Sequence, residues 1–337
     1  MDPSTRRPLG ASGLEVSVAS YGGGSLGNFF RRMSNAEAAA ILEAAWAGGI
    51  RYFDTAPVYG RGRSERRLGA FLGELPRDEF IVSTKVGRIM EPARGAVEED
   101  GIFLDPAPFN VVYDYTYDGI MRSHEHSLQR LGLDRVDILY VHDIDQMIHG
   151  EEHAARLRDL REGGIRALEE LRGAQVISAY GLGVNQVETC LQCLDYAAPD
   201  AFLLAGRFTL LEQRAALPLL DKCLHREVSI VAGGVFNSGI LATGPVPGAH
   251  YNYGEASGEV CEVVARMQAL CGEYGVELAT AALQFPLSHP AVASVLLGVG
   301  TMSSLQRNLD GLRAQVPTQL WDALAELGMA TPEAIGN

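Results

Sequence analysis

The 337-residue chain lacks the features that would direct it to a bilayer, to nucleic acid or to a disulfide-stapled fold. No apolar run approaches the roughly 18 residues of a membrane span, and the start, Met1 to Pro8, is polar and basic without the apolar stretch of a secretory signal. Positive charge is in short supply. With 28 Lys and Arg against 42 Asp and Glu, the net charge is -14, so polyanions and anionic membrane surfaces are repelled. The five cysteines are an odd number in a long chain and do not form a disulfide framework. Cys190-x-x-Cys193 lies in a helical pattern with no second pair at zinc spacing, and reduced, mostly buried thiols are expected. No linker or composition break divides the sequence. These absences predict a cytoplasmic protein, one domain over 1–337, monomer or small homo-oligomer, acting on a small molecule.

What is present is a regular alternation of short β-branched runs with amphipathic helical patterns. Strands are predicted over 14–21, 50–55, 80–85, 136–142, 176–182, 201–205, 228–232 and 292–297. Helices are predicted over 35–47, capped by Ser34 or Asn35, and over 64–72, with Ser64 as cap. Further helices are predicted over 118–131, 164–172, 186–197, 215–226, 258–274, 278–285, 303–313 and 318–327. Eight strand-helix units in this length predict a single (β/α)8 TIM barrel of the α/β class, preceded by a β-hairpin turning at Gly10 and Gly13. The 86–115 stretch, rich in Gly, Pro and aromatics, is too long for a mere connection and is expected to wall a pocket at the barrel's C-terminal face, together with Phe29, Phe30 and the segment Tyr251-Asn252-Tyr253.

Three predicted strands end on Asp54, Lys85 and His142, and Tyr59 follows one loop after the first. In a closed parallel barrel all four face one mouth. A phenol with a reference pKa of about 10 is a poor acid or base near neutrality unless a nearby ammonium stabilises its phenolate. Lys85 can supply that ammonium, Asp54 can hold it charged, and a neutral His142 can orient a substrate oxygen.

These residues resemble the aldo-keto reductases. The matches are Asp54-Thr55-Ala56-x-x-Tyr59-Gly60, Ser64-Glu65-x-x-Leu68-Gly69, Ser83-Thr84-Lys85 and Asp137-x-x-x-x-His142, and the resemblance covers nearly the whole chain. It implies a nicotinamide cofactor extended across the mouth, with Tyr59 as general acid/base, Lys85 and Asp54 tuning it, and His142 positioning the carbonyl or hydroxyl. For the cofactor it implies Gly23, Gly24 and Ser25 near the nicotinamide end. Asn185, displaced by one from the family's carboxamide-binding asparagine, Arg207 after strand six, and Phe236 and Ser238 after strand seven complete that end, with Phe236 a candidate stacking partner. At the far end stand Gly298, Gly300, Thr301 and Ser304, and Asn308 matches an adenine-contacting asparagine. The places where NADP-preferring members carry cations read Gly298, Gly300 and Ser304, so NAD is expected; NADP remains open through Arg307 or Arg207. The departures after strands five to seven resemble the branch of bacterial dehydrogenases that oxidise aldoses of the L-fucose or D-threo type to lactones, with pyridoxal dehydrogenase a near relative. A general NADPH-dependent aldehyde reductase and a barrel-type interaction subunit are the alternatives.

Two rival constellations are weaker. Gly22-Gly23-Gly24-Ser25-Leu26-Gly27 fits a dinucleotide-binding glycine pattern, but Asn28 to Met33 intervene before any helix can present its N-terminus to a pyrophosphate. His124-Glu125-His126, His142-Asp143-x-Asp145 and His149-x-x-x-His153 suggest a metal-dependent hydrolase, but His124 and His126 are two apart on a predicted helix and point to different faces, only His142 is well placed, and His149 and His153 read as a solvated helix face; no metal is assigned.

Overall fold

The computed structural model describes residues 1–99, 101–252 and 254–331. Eight parallel strands close into a barrel: β1 (Ala19–Gly22), β2 (Tyr52–Asp54), β3 (Ile81–Val86), β4 (Ile138–His142), β5 (Ala179–Val184), β6 (Ala201–Ala205), β7 (Ser229–Gly233) and β8 (Val292–Gly298). Closure is made by β8 on β1, with Leu297 paired to Tyr21. The outer helices are α1 (Asn35–Ala47), α2 (Arg63–Leu72), α3 (Tyr117–Leu131), α4 (Ile165–Gly173), α5 (Val187–Cys193), α6 (Leu217–His225), α7 (Leu278–Gln284) and α8 (Met302–Arg313). Additional helices span Gly258–Glu273 and Thr318–Glu326. Among the described residues no helix is long and apolar enough to cross a membrane.

Two separate cores follow from the two-residue period of the strands. Phe53, Val82, Leu139 and Leu182 point outward into the large cluster beneath the helices, whereas Tyr52, Ile138, Tyr140, Ala201 and Val231 fill the barrel interior. The inward positions one step further along are Asp54, Lys85 and His142. The same alternation that packs the interior therefore delivers these three polar side chains to the C-terminal mouth. Gly183, beside His142 in the register, leaves room for Lys85: a Cβ there would lie 3.4 Å from the Lys85 Cε.

The predicted first strand divides. Glu15–Ser17 pairs antiparallel with Arg6–Pro8, and this hairpin plugs the barrel floor with Leu9 and Val16, while Ala19–Gly22 alone joins the barrel. Helix α1 is capped by Ser34, whose hydroxyl accepts from the Glu37 amide while Glu37 accepts from the Ser34 amide. The expected cap of α2 is different: the helix follows Gly62, at φ 90°, and Ser64 is buried, donating to Gly23 O at 2.7 Å. The long loop after β3 is partly regular, because Arg88–Pro92 pairs antiparallel with Phe109–Tyr113. His149 and His153 do not share a solvated face. His149 ends one helical turn and packs against Tyr113 and Tyr115, and the chain kinks at Gly150 before His153 begins the next helix. The five cysteines are free and four are buried, with burial pushing the Cys193 thiol up to about 12.

Gly69 marks where α2 meets the end of α3. A Cβ at Gly69 would lie 1.9 Å from the carbonyl oxygen of Leu131, a backbone atom that cannot swing aside. Gly69→Ala is expected to lower stability by about 1–3 kcal/mol through overpacking, measured as a shift in the midpoint of denaturant unfolding.

Candidate active site

The site is built around a buried ion pair. Lys85 Nζ lies 2.6 Å from Asp54 Oδ2 and also donates to Thr55 O at 2.9 Å. Ser83 Oγ donates to the other carboxylate oxygen at 2.7 Å, and the chain of contacts continues from Ser83 to Tyr52 and from Tyr52 to Tyr140, each at 3.1 Å. Asp54, Lys85, Ser83, Tyr52 and Tyr140 are thus all partnered, whereas the buried His142 Nδ1 has no partner among the described residues. Lys85 is one of only two lysines in the sequence; the other, Lys222, is exposed on α6.

Tyr59 is held over this pair by the β2–α2 loop. Its ring centroid lies 4.8 Å from Lys85 Nζ and 5.8 Å from the His142 ring, edge-on at 85°. Gly27 presses against its backbone, since a Cβ there would come within 2.5 Å of the Tyr59 carbonyl carbon. The structure therefore brings Asp54, Tyr59, Lys85 and His142 together.

Electrostatics assign each group a state. Burial disfavours the Lys85 ammonium, but Asp54 and Tyr59 outweigh it and raise its pKa above the ordinary value. Burial pushes the Asp54 carboxyl up, against the pull of Lys85 and Ser83. For Tyr59, burial raises the pKa and Lys85 only partly offsets it, with Asp54 and Asp143 adding to the rise. The phenol is consequently protonated at neutral pH, whereas proximity to Lys85 alone would have suggested an easily formed phenolate. His142 is neutral, because burial and then the Arg88 and Lys85 charges drive its pKa well below the usual value.

One wall of the mouth is aromatic. Phe103 stacks on Tyr59 at 5.6 Å and 26°, Phe29 lies 5.5 Å from Phe103, and Phe30 lies 4.4 Å from Phe29. A second wall is polar, and sequence reasoning did not foresee it: Arg88 from the hairpin after β3 pairs with Asp143, which also accepts from Asn185 Nδ2 at 3.2 Å. Asp143 had been visible only as part of His142-Asp143-x-Asp145, and Arg88 carried no motif at all. Of the outer segment proposed for this pocket, Tyr253 lies outside the described residues.

The remaining sequence candidates divide. Gly23 is a close-approach position, with its amide donating to Asp54 O at 2.7 Å and no room for a Cβ, whereas Gly24 faces open space. Asn185 stands at the mouth beside Asp143. Arg207 is committed to straps, donating to Asn185 O at 2.7 Å and to Asn252 Oδ1 at 3.0 Å. Phe236 is half-buried against the outer core, and no ring contact links it to Tyr59 or His142 among the described residues; Ser238 lies in the turn that follows, at φ 59°. Asn308 is buried on α8.

The sequence model of the Aldo/keto reductase family matches residues 20–328, and the chain belongs to that family of oxidoreductases. It is 41% identical to the pyridoxal 4-dehydrogenase of Microbacterium luteolum, over 97% of this chain and 98% of that one. It is also 41% identical to the D-threo-aldose 1-dehydrogenase of a Pseudomonas species, over 96% and 97%. Among solved structures, an aldo-keto reductase from Bacillus halodurans in its holo form superposes with a TM-score of 0.75 at 23% identity, covering 96% of each chain, which supports the fold.

The family uses nicotinamide cofactors, and the β8–α8 junction fits the phosphates of one. A Cβ at Gly298 would meet nothing within 4 Å, so that backbone is open to close approach, and Ser25 Oγ would lie 3.7 Å from a Cβ at Gly300. Helix α8 has no acidic residue in its first turn; Thr301 caps it reciprocally with Ser304, using the Ser304 amide and leaving those of Met302 and Ser303 to point outward. Arg31, unforeseen in the sequence, donates to Gly300 O at 2.9 Å, but Glu37 at 2.8 Å balances its charge.

Removing one member of the Asp54–Lys85 pair leaves an unpaired charge in the barrel. Lys85→Met is expected to cost about 3–5 kcal/mol of stability, and most of that should return in the double variant with Asp54→Asn. Denaturant unfolding of the two proteins checks this; equal losses would show that the pair is not the source.

Proposed function

We propose that the protein is a dehydrogenase that oxidises the C1 hydroxyl of a cyclic aldose, or the equivalent hemiacetal of pyridoxal, to a lactone, with NAD as the preferred cofactor. The observation that carries this reading is the convergence of Asp54, Lys85, Tyr59 and His142 at one mouth, between an aromatic and a polar wall. The names of the two 41% identical relatives support the substrate class. A nicotinamide cofactor, held by the β8–α8 junction, would supply the acceptor for the hydride of the substrate carbon. Tyr59 takes the hydroxyl proton at its phenol oxygen. Lys85, kept charged by Asp54, stabilises the phenolate that must exist beforehand, and neutral His142 donates a hydrogen bond that orients the reacting oxygen. Phe103, Phe29 and Phe30 offer the apolar face against which a ring can lie, which excludes water from the reacting side.

Tyr59→Phe should lower turnover by roughly 10²- to 10⁴-fold while leaving cofactor affinity, followed by fluorescence titration, close to native. The sign of the pH dependence follows from the raised pKa of Tyr59. Oxidation needs the deprotonated phenol, so its kcat/KM should climb as pH rises from neutrality, while aldehyde reduction, which uses the protonated form, should decline only at alkaline pH. Identical profiles in both directions would remove Tyr59 from this role.

The NAD preference rests on an α8 whose first turn offers backbone donors and carries no cation, with Arg31 nearby already paired to Glu37. Ser304→Arg should shift relative affinity towards NADP by about 1 kcal/mol or more through a charge-assisted hydrogen bond, at the expense of the reciprocal cap. Arg31 supports a second reading, in which it releases Glu37 to serve a 2′-phosphate. Native enzyme binding NADP at least tenfold more tightly than NAD, with the advantage lost in Arg31→Ala, would establish that reading instead.

A further inference from the structure

Next to His142 the backbone is strained in a way the four-residue constellation does not require. Asp143 adopts φ 45°, a left-handed conformation that side-chain-bearing residues rarely take, and its amide donates to Gly183 O at 2.9 Å. The effect is to turn its carboxylate back to the mouth, where Oδ2 lies 3.6 Å from His142 Nε2. That separation is too long for a hydrogen bond. Arg88 and Asn185 hold the carboxylate from two other elements, the hairpin after β3 and the end of β5. Arg88 is itself largely buried beneath the Tyr113 ring, and its Nε has no acceptor among the described residues. A donor and an acceptor of opposite charge thus stand together, mostly desolvated, one step from the reacting centre, each with unused hydrogen-bonding capacity.

We propose that Asp143 and Arg88 are a specificity-determining pair that grips the hydroxyl on the carbon adjacent to the reacting carbon, selecting α-hydroxylated substrates, of which cyclic aldoses are the matching class. The inference rests on the oxidation proposed above. An oxygen positioned by His142 Nε2 has its vicinal neighbour roughly one hydrogen-bond length away in a gauche diol, and the Asp143 carboxylate, with Oδ2 3.6 Å from Nε2, flanks that position as an acceptor. The hydroxyl donates to Asp143 and accepts from Arg88. An analogue lacking it can make neither bond and leaves the spare capacity of the pair, Arg88 Nε included, unfilled, the kind of site at which buried polar groups discriminate most strongly.

The test compares an aldose with its 2-deoxy analogue, assayed with NAD and with NADP, for native protein, Asp143→Asn and Arg88→Met. Asparagine tolerates the left-handed backbone, so Asp143→Asn keeps the loop; thermal unfolding and cofactor titration confirm the fold of both variants. Native protein is expected to favour the aldose in kcat/KM, and each variant to reduce that ratio by about tenfold or more, chiefly through KM for the hydroxylated sugar. If the residues merely brace His142 and Asn185, both sugars lose activity equally and the ratio stays, which overturns the inference. A native enzyme that oxidises both sugars equally well overturns it too, while the proposed oxidation stands. A native enzyme inactive on both overturns the two together.

Discussion

The buried contact between Lys85 and Asp54 is the constraint on which the rest of the site depends. An ammonium and a carboxylate inside a barrel are tolerable only if each is fully partnered, and the interior provides this through Thr55 O for the lysine and Ser83 Oγ for the aspartate. That requirement fixes the side-chain positions near the mouth more strictly than packing alone would. Tyr52 and Tyr140 below, which could have been plain hydrocarbon, carry hydroxyls that continue the network. The floor of the barrel beneath them is apolar and closed by the hairpin. A polar cap on an apolar plug is thus set up by nothing more than the inward positions of successive strand residues.

Above the ion pair the structure is a compromise between desolvation and charge. The same burial that makes Lys85 an effective partner for Tyr59 also makes the phenolate costly, and it wins over the lysine. His142 shows the opposite balance, since burial and neighbouring cations act in one direction and leave it neutral. Two groups within ring contact of each other therefore present a phenolic proton and a neutral imidazole, the pair of states that a reversible proton transfer between a carbonyl and a hydroxyl requires.

All eight strands and the positions of Asp54, Lys85 and His142 were legible because each depends on local pattern: β-branched runs, a two-residue period and a polar residue where the run stops. Boundaries were less so. The first strand divided because Glu15–Ser17 pairs with the hairpin and not with the barrel, a choice made by tertiary contact. Ser64 looked like a cap because capping residues and buried hydroxyls are the same residue types; only its reach to Gly23 and Thr55 separates them. Arg88, Asp143 and Arg31 were invisible as site residues for a stronger reason. Each matters through a partner from another part of the chain, 55 residues away for Arg88 and Asp143 and 269 for Arg31 and Gly300, and such pairings leave no periodic trace.

The scarcity of lysine has a chemical consequence for a protein that works on carbonyl compounds. Free aldehydes and open-chain sugars condense with unprotonated side-chain amines to form imines, and a typical surface offers many such sites. Here one of the two amines is enclosed in the barrel and tied to Asp54, so only Lys222 stands in solvent. The arginines that carry nearly all the remaining positive charge keep their protons and do not form Schiff bases. The surface is therefore almost inert to imine formation by reactive carbonyls, and an amine-directed reagent would find one side chain to modify.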